Sequence, residues 1–156
     1  MELYIDTLGT MDGANVEIVQ EAGKENNYIF GATVKELDEI MKIYDPRYNV
    51  EKDPKVAKVI RSLIDGTVSD GGSGDFRELY FGLMDGMHWH HPDNYYLIGN
   101  LKSYVDAKLK LNKEYSDKFA FAKKCWMNMA CAGKFSSDRT IEDYAMEIWK
   151  IEKVIL

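Results

Sequence analysis

Thr7-Leu8-Gly9-Thr10-Met11-Asp12-Gly13-Ala14-Asn15-Val16-Glu17 is the stretch that decides how this chain is read. It has the character of a strand end, a glycine-flanked loop and a helix start. Gly9 and Gly13 allow a positive φ or a close backbone approach. Asp12 is placed to cap the helix, because a short carboxylate accepts from free N–H groups in a first turn. Downstream, Ala14 to Ala22 reads as a short helix with Val16, Ile18 and Val19 apolar and Gly23 as its stop. Asn27-Tyr28-Ile29-Phe30-Gly31 then reads as a short buried strand.

The remainder is a run of helices. Thr33-Val34-Lys35-Glu36 has the capping-box pattern, and Val34, Leu37, Ile40 and Met41 follow at helical spacing. Asp45-Pro46 ends that helix, since a residue before proline is pushed out of the α region. Residues 47–52 are polar and read as loop. Asp53-Pro54 starts the next helix, with Val56, Val59, Ile60, Leu63 and Ile64 on one face and Gly66 closing it. Ser69 to Gly74 is the most flexible stretch. Asp75 restarts a helix with Phe76, Leu79, Tyr80 and Leu83 inward, stopped at Gly86. His88 to Ile98 is an aromatic connection with a possible short extended piece. Asn100 opens a helix with Leu101, Tyr104, Val105 and Leu109 inward. Ser116 or Asp117 caps another, with Phe119, Ala122, Trp126, Met129 and Ala130 inward and Gly133 as stop. Ser137 or Asp138 caps the last, whose Ile141, Tyr144, Ala145, Ile148 and Trp149 form the cleanest helical stripe. The fold class is therefore mostly α with one or two short β-strands. Strands at one end followed only by helices suit the tail of a larger α/β domain, because a free-standing one alternates several strands with helices.

The length of 156 residues suits one domain, able to bury about 68–70% of its unfolded surface. A net charge of -6 argues against a nucleic-acid partner. No apolar run approaches the roughly 20 residues of a membrane span, and Met1 to Asp6 lacks the regions of a signal peptide. Cytoplasm is the default. Cys125 and Cys131, read as lying on one helix, would be about 9 Å apart, too far for a disulfide, and read as small core residues.

Two runs resemble the α-glucan phosphorylases, the glycogen, starch and maltodextrin family. Leu8-Gly9-Thr10-Met11-Asp12-Gly13-Ala14-Asn15-Val16-Glu17 is similar to the run that lies just after that family's cofactor lysine. Gly133-Lys134-Phe135-Ser136-Ser137-Asp138-Arg139-Thr140-Ile141 is similar to its near-terminal run, and Tyr144-Ala145 with Glu147-Ile148-Trp149 continues it. Glu21-Ala22-Gly23 and Ile29-Phe30-Gly31 match in between. The resemblance implies a C-terminal piece of an α/β glycosyltransferase fold with two Rossmann-like domains. It implies a parent that cleaves α-1,4 glucans with phosphate to glucose 1-phosphate, using pyridoxal phosphate held as a Schiff base. The family's cofactor-lysine run has no counterpart in Met1 to Asp6. Residues 1–6 are therefore expected to be a non-matching start, and 7–156 one compact C-terminal segment of the cofactor-bearing domain. No catalytic, cofactor-binding or metal residue transfers to a position in this chain. The chain alone is expected to be inactive, to bind no pyridoxal phosphate, to partner the upstream part of the same enzyme, and to self-associate when isolated. Its alternative is a free-standing helical interaction module without chemistry. A third reading is a piece that complements a separate N-terminal half.

Other constellations read as structural. Gly9 to Gly13 lacks the lysine of a phosphate-binding P-loop, and Gly71 to Gly74 lacks a strand before it. His88, His90 and His91 lack a placed third ligand for zinc. Asp138 is read as a cap and Arg139 as a surface contact. Lys108, Lys110 and Lys113 form a solvated face. Phe135 and Trp149 are read as core or interface anchors ahead of sugar platforms.

Overall fold

A computed structural model describes residues 7–151. The chain divides into two compact units, one combining 7–29 with 111–151 and the other spanning Phe30–Lys110.

The first unit begins with a β-α-β turn of chain. β1 (Leu8–Gly9) and β2 (Tyr28–Ile29) pair in parallel, Leu8 opposite Tyr28 and Gly9 opposite Ile29. Parallel neighbours need a crossover, and α1 (Ala14–Ala22) supplies it, ended by Gly23 at φ 90. Ile18, Val19 and Ala22 are buried, and α1 packs on α7 (Lys118–Ala130). Asp117 caps α7 by accepting from Ala120 N. The sequence places Phe119, Ala122, Trp126, Met129 and Ala130 inward, and the structure turns the helix the other way. Phe119 is 84% and Trp126 65% exposed, while Cys125 and Asn128 are buried. The Asn128 amide donates to the Asn26 and Lys124 carbonyls. Apolar residues run most of the way round α7, so periodicity alone could not choose the buried face.

A 3₁₀ turn (Ala132–Phe135) leads to α8 (Ser137–Asp143) and a π-helical stretch (Tyr144–Trp149). Ser136, rather than Ser137 or Asp138, caps α8, accepting from Arg139 N at 3.3 Å. The 3₁₀ turn ends at Phe135 and leaves Ser136 extended, in the geometry a cap requires. The stripe of Ile141, Tyr144, Ile148 and Trp149 lies on the surface.

The second unit holds α2 (Val34–Ile40), α3 (Pro46–Lys52), α4 (Pro54–Arg61), α5 (Asp75–Met84) and the start of α6 (Leu97–Glu114). Thr33 and Glu36 form the full capping box of α2. Residues 47–52 are helix, not loop. Asp45 accepts from Arg47 N and Pro46 takes the first helical position, the same start device as Asp53-Pro54. Val50, Val56, Ile60, Met84 and Ile98 form the core, with Leu83 and Leu101 packed against it. Val59 and Ile64, read as core, are about half exposed: α4 turns Val56 and Ile60 inward instead of Val59, and Ile64 lies past its end at Arg61. Leu79, Val105 and Leu109 are likewise exposed. Helix α6 opens at Leu97, three residues before the Asn100 expected from sequence.

Candidate functional site

The glycine-flanked loop is held by its own polar groups. Asn15 Nδ2 donates to the Thr10 carbonyl at 2.9 Å. A Cβ on Gly9 would stand 2.5 Å from that nitrogen, so the Asn15 amide occupies the space an alanine would need. Gly13, at φ 48, is the cap residue of α1, and its side-chain position is empty of acceptors. Asp12 does not cap. Lying one residue too early, its carboxylate turns back to accept from Thr10 Oγ1 at 2.9 Å.

The near-terminal family-like run, far away in sequence, meets the short Glu21-Ala22-Gly23 match in the first unit. Lys134 Nζ lies 2.9 Å from Glu21 Oε1, both only partly exposed. Lys124 Nζ reaches Glu114 Oε2 at 2.7 Å, and Tyr28 OH donates to the same oxygen at 2.7 Å. Lys124 also sits 4.8 Å from the centre of the Tyr28 ring. Tyr28 is buried and Lys124 and Glu114 are partly exposed, and together they tie β2 and α7 to the end of α6. Arg139 lies 3.8 Å from Asp143, an exposed pair within α8.

In the second unit the polar centre is Asp93, only 2% exposed. Its carboxylate accepts from Leu97 N and Ile98 N, both at 2.8 Å, and from Tyr44 OH at 2.7 Å. It thereby takes up the free N–H groups of the first turn of α6. This explains why α6 opens at Leu97. Asn100 serves elsewhere, accepting from Ala32 N at 3.3 Å. Burial, then the hydrogen bond to Asp93, pushes the Tyr44 phenol well above its ordinary 10.0. A phenol raised on folding stabilises the protein fully below its unfolded value and loses that contribution as pH rises past it. Alkaline titration from about pH 10 upward should therefore weaken the wild type more than Tyr44→Phe, read as urea midpoints at each pH.

A cleft of about 330 Å³ opens beside α5, with Asp75, Glu78, Leu79, Trp89, Asn94 and Tyr95 in its lining. The Met87–His90 backbone pair, at 3.1 and 3.2 Å, closes the turn that carries Trp89. His90 Nδ1 is 2.7 Å from the His91 carbonyl oxygen, while His88 and His91 are exposed. Among the described residues no group of three His, Cys, Asp or Glu side chains is placed to hold a metal. The Gly71–Gly74 loop folds around Asp70, whose carboxylate accepts from Gly72 N and Phe76 N, so its amides face a carboxylate already. Those hydrogen bonds hold the Asp70 carboxyl below its ordinary value. Cys125 is buried and Cys131 half-buried.

The sequence profile of the carbohydrate phosphorylases matches residues 5–151. The chain belongs to the carbohydrate phosphorylase family. Brain-form glycogen phosphorylase of Mus musculus is 35% identical over 147 residues, which are 94% of this chain and 17% of that protein. Glycogen phosphorylase of Chlamydia pneumoniae is 34% identical over 145 residues, 93% of this chain and 17% of the relative. That of Synechocystis is 34% identical over 151 residues, 96% of this chain and again 17% of the relative. The chain thus spans about a sixth of the length of the glycogen phosphorylases it matches. This carbohydrate phosphorylase segment is mostly helical with one short parallel pair of strands. No helix among the described residues is long and apolar enough to cross a membrane.

Within the phosphorylase segment, the predicted motif residues are brought together only in part. Lys134 and Glu21 meet, whereas Asp138 and Arg139 stay on the exposed face of α8. Asp93 escaped the sequence reading. It stands four residues before its helix, outside the usual capping position, and its only local mark is the preceding Pro92.

Proposed function

We propose that this chain is a supporting segment of an α-1,4-glucan phosphorylase, packing against the cofactor-bearing part of such an enzyme in the cytoplasm and supplying scaffold, not reacting groups. The observation that carries the reading is the first unit. A lone two-stranded parallel pair is marginal, and parallel strands belong to sheets covered on both faces. In the same unit, apolar side chains of the helices, Trp126, Ile148 and Trp149 among them, are exposed. Thr7 Oγ1, Asn27 Oδ1 and Asn128 Oδ1 are buried without a hydrogen-bond partner among the described residues. Further sheet and helix from the rest of a phosphorylase would complete such a unit, with residues 7–156 as one segment of it. Bare apolar surface of this kind also drives association, and the isolated chain should form homo-oligomers.

The parent reaction converts glucan and phosphate to glucose 1-phosphate with pyridoxal phosphate as cofactor. The lysines described here do not fit its covalent anchor. All but Lys124 and Lys134 are exposed, and those two are ion-paired with Glu114 and Glu21. A Schiff base needs its amine free of such a partner, in a desolvated site. Purified chain should release no glucose 1-phosphate from glycogen and phosphate, with or without added pyridoxal phosphate. Mixing it with a phosphorylase truncated before the matching segment should restore turnover. Turnover by the chain alone, or no restoration on mixing, overturns the proposal. The second outcome favours the free-standing interaction module.

A further inference from the structure

We propose that Asp12-Gly13 is a site of spontaneous covalent modification, where the aspartate converts to isoaspartate through a cyclic imide formed with Gly13. In an Asp-Gly pair the glycine backbone nitrogen attacks the aspartate Cγ. The N–Cγ bond forms, the amide proton is lost, and the carboxyl hydroxyl leaves with a proton as water. Water then adds back to either carbonyl of the ring. Opening at the side-chain carbonyl restores aspartate. Opening at the backbone carbonyl leaves the chain running through Cγ, with the α-carboxylate free. No oxidant, metal or second protein is consumed. Glycine favours the reaction because no Cβ shields its nitrogen and its φ is unrestricted.

The sequence holds four Asp-Gly pairs, at Asp12, Asp65, Asp70 and Asp85, and the structure locks three of them. Gly86 N donates to the Phe81 carbonyl at 3.1 Å, and Asp85 is paired with Arg47. Gly71 N donates to Ser69 Oγ at 3.2 Å, while the Asp70 carboxylate accepts from Gly72 N and Phe76 N. Asp65 accepts from Thr67 N at 2.8 Å. Its hydrogen bonds with Thr67 hold its carboxyl below the ordinary value, in the ionised form that releases no water.

Asp12-Gly13 carries none of these locks. Gly13 N has no hydrogen-bond acceptor among the described residues. A Cβ on Gly13 would meet nothing within 4 Å, so the flank of that nitrogen is open. Asp12 is exposed, and its carboxylate takes one bond, from Thr10 Oγ1 to Oδ2, which leaves Oδ1 bare. Gly13 also stands at the N-terminus of α1. The free N–H groups there favour the negative charge that the nitrogen gains as its proton leaves. Gly86 follows the C-terminus of α5, where the helix opposes such a charge. The rearranged chain does not fit the loop. Asn15 N donates to the Asp12 carbonyl at 3.1 Å and the Asn15 amide to the Thr10 carbonyl at 2.9 Å. Isoaspartate adds a backbone carbon between these two acceptors and displaces the first.

The test ages the full purified chain in buffer. An isoaspartyl methyltransferase with a labelled methyl donor reads the amount of isoaspartate, and peptide mass mapping reads its position. Isoaspartate should accumulate at Asp12 about tenfold faster than at Asp65, Asp70 or Asp85, where a charge-assisted or backbone hydrogen bond must first break. The same chain aged in urea should lose that preference, because the locks are gone. Asp12→Glu should remove the label that appears first, since the larger ring closes slowly. In the aged chain, hydrogen exchange at Asn15 should speed ahead of the rest of α1. Isoaspartate appearing first at another pair, equal rates at all four in the folded chain, or a preference for Asp12 that persists in urea overturns the proposal. Each of these is read on the unaltered chain, so the outcome does not depend on how the variant folds.

Discussion

Asp93→Ala should destabilise the second unit by about 3 kcal/mol, since each buried donor left without its acceptor costs about 1–3 kcal/mol. Three donors depend on this carboxylate: Leu97 N, Ile98 N and Tyr44 OH. The two backbone groups have no other partner in the first turn of a helix, and the carboxylate that takes them is itself buried. Asp93→Asn keeps one acceptor oxygen and should lose less than the alanine variant. Urea unfolding gives the stability. Hydrogen exchange at Leu97 and Ile98 gives the location, because loss of the acceptor should speed these amides ahead of the rest of α6. Asp106→Ala, which removes only an exposed pair with Lys102, is the control and should stay within about 0.5 kcal/mol. An Asp93→Ala protein as stable as that control would show that the carboxylate does not hold the start of α6.

Ile60→Ala should cost about 2–5 kcal/mol, the range for truncating a well-packed aliphatic residue in a core that does not collapse around the void. Ile60 lies among Val50, Val56, Met84 and Ile98, contributed by α3, α4, α5 and α6. A void there removes contacts from four helices together. Val59, its neighbour in sequence, is half exposed, and Val59→Ala should change stability by no more than about 0.5 kcal/mol. The pair of variants reads the rotation of α4 about its axis. Similar losses from both would mean that the helix buries Val59 as the unbroken stripe suggests.

That stripe shows how far local pattern reaches. Asp45-Pro46 and Asp53-Pro54 are the same dipeptide, and both start helices. Locally the first reads only as a stop, because the polar residues after it conceal Val50 as the one that packs. Capping was legible wherever one side chain sits directly before its helix, as at Thr33, Asp53 and Asp117. It failed at Asp12, Asn100 and Ser137, where a neighbouring turn shifts the helix start by one to three residues. Of the site features, the Lys134–Glu21 pair and the Asp93 carboxylate join residues that no local spacing relates.

The sequence alone determined the helical class, the β-α-β opening and membership of the carbohydrate phosphorylase family. These depend on local spacing and on two long motifs that survive in order. Tertiary structure alone decided which face of α7 is buried, where α6 begins, and that Trp89 and Tyr95 share a cleft. Periodicity marks where apolar groups lie around a helix, whereas burial depends on what packs there, and in α7 the inner face is filled by Cys125 and Asn128 while Phe119 and Trp126 stay in solvent.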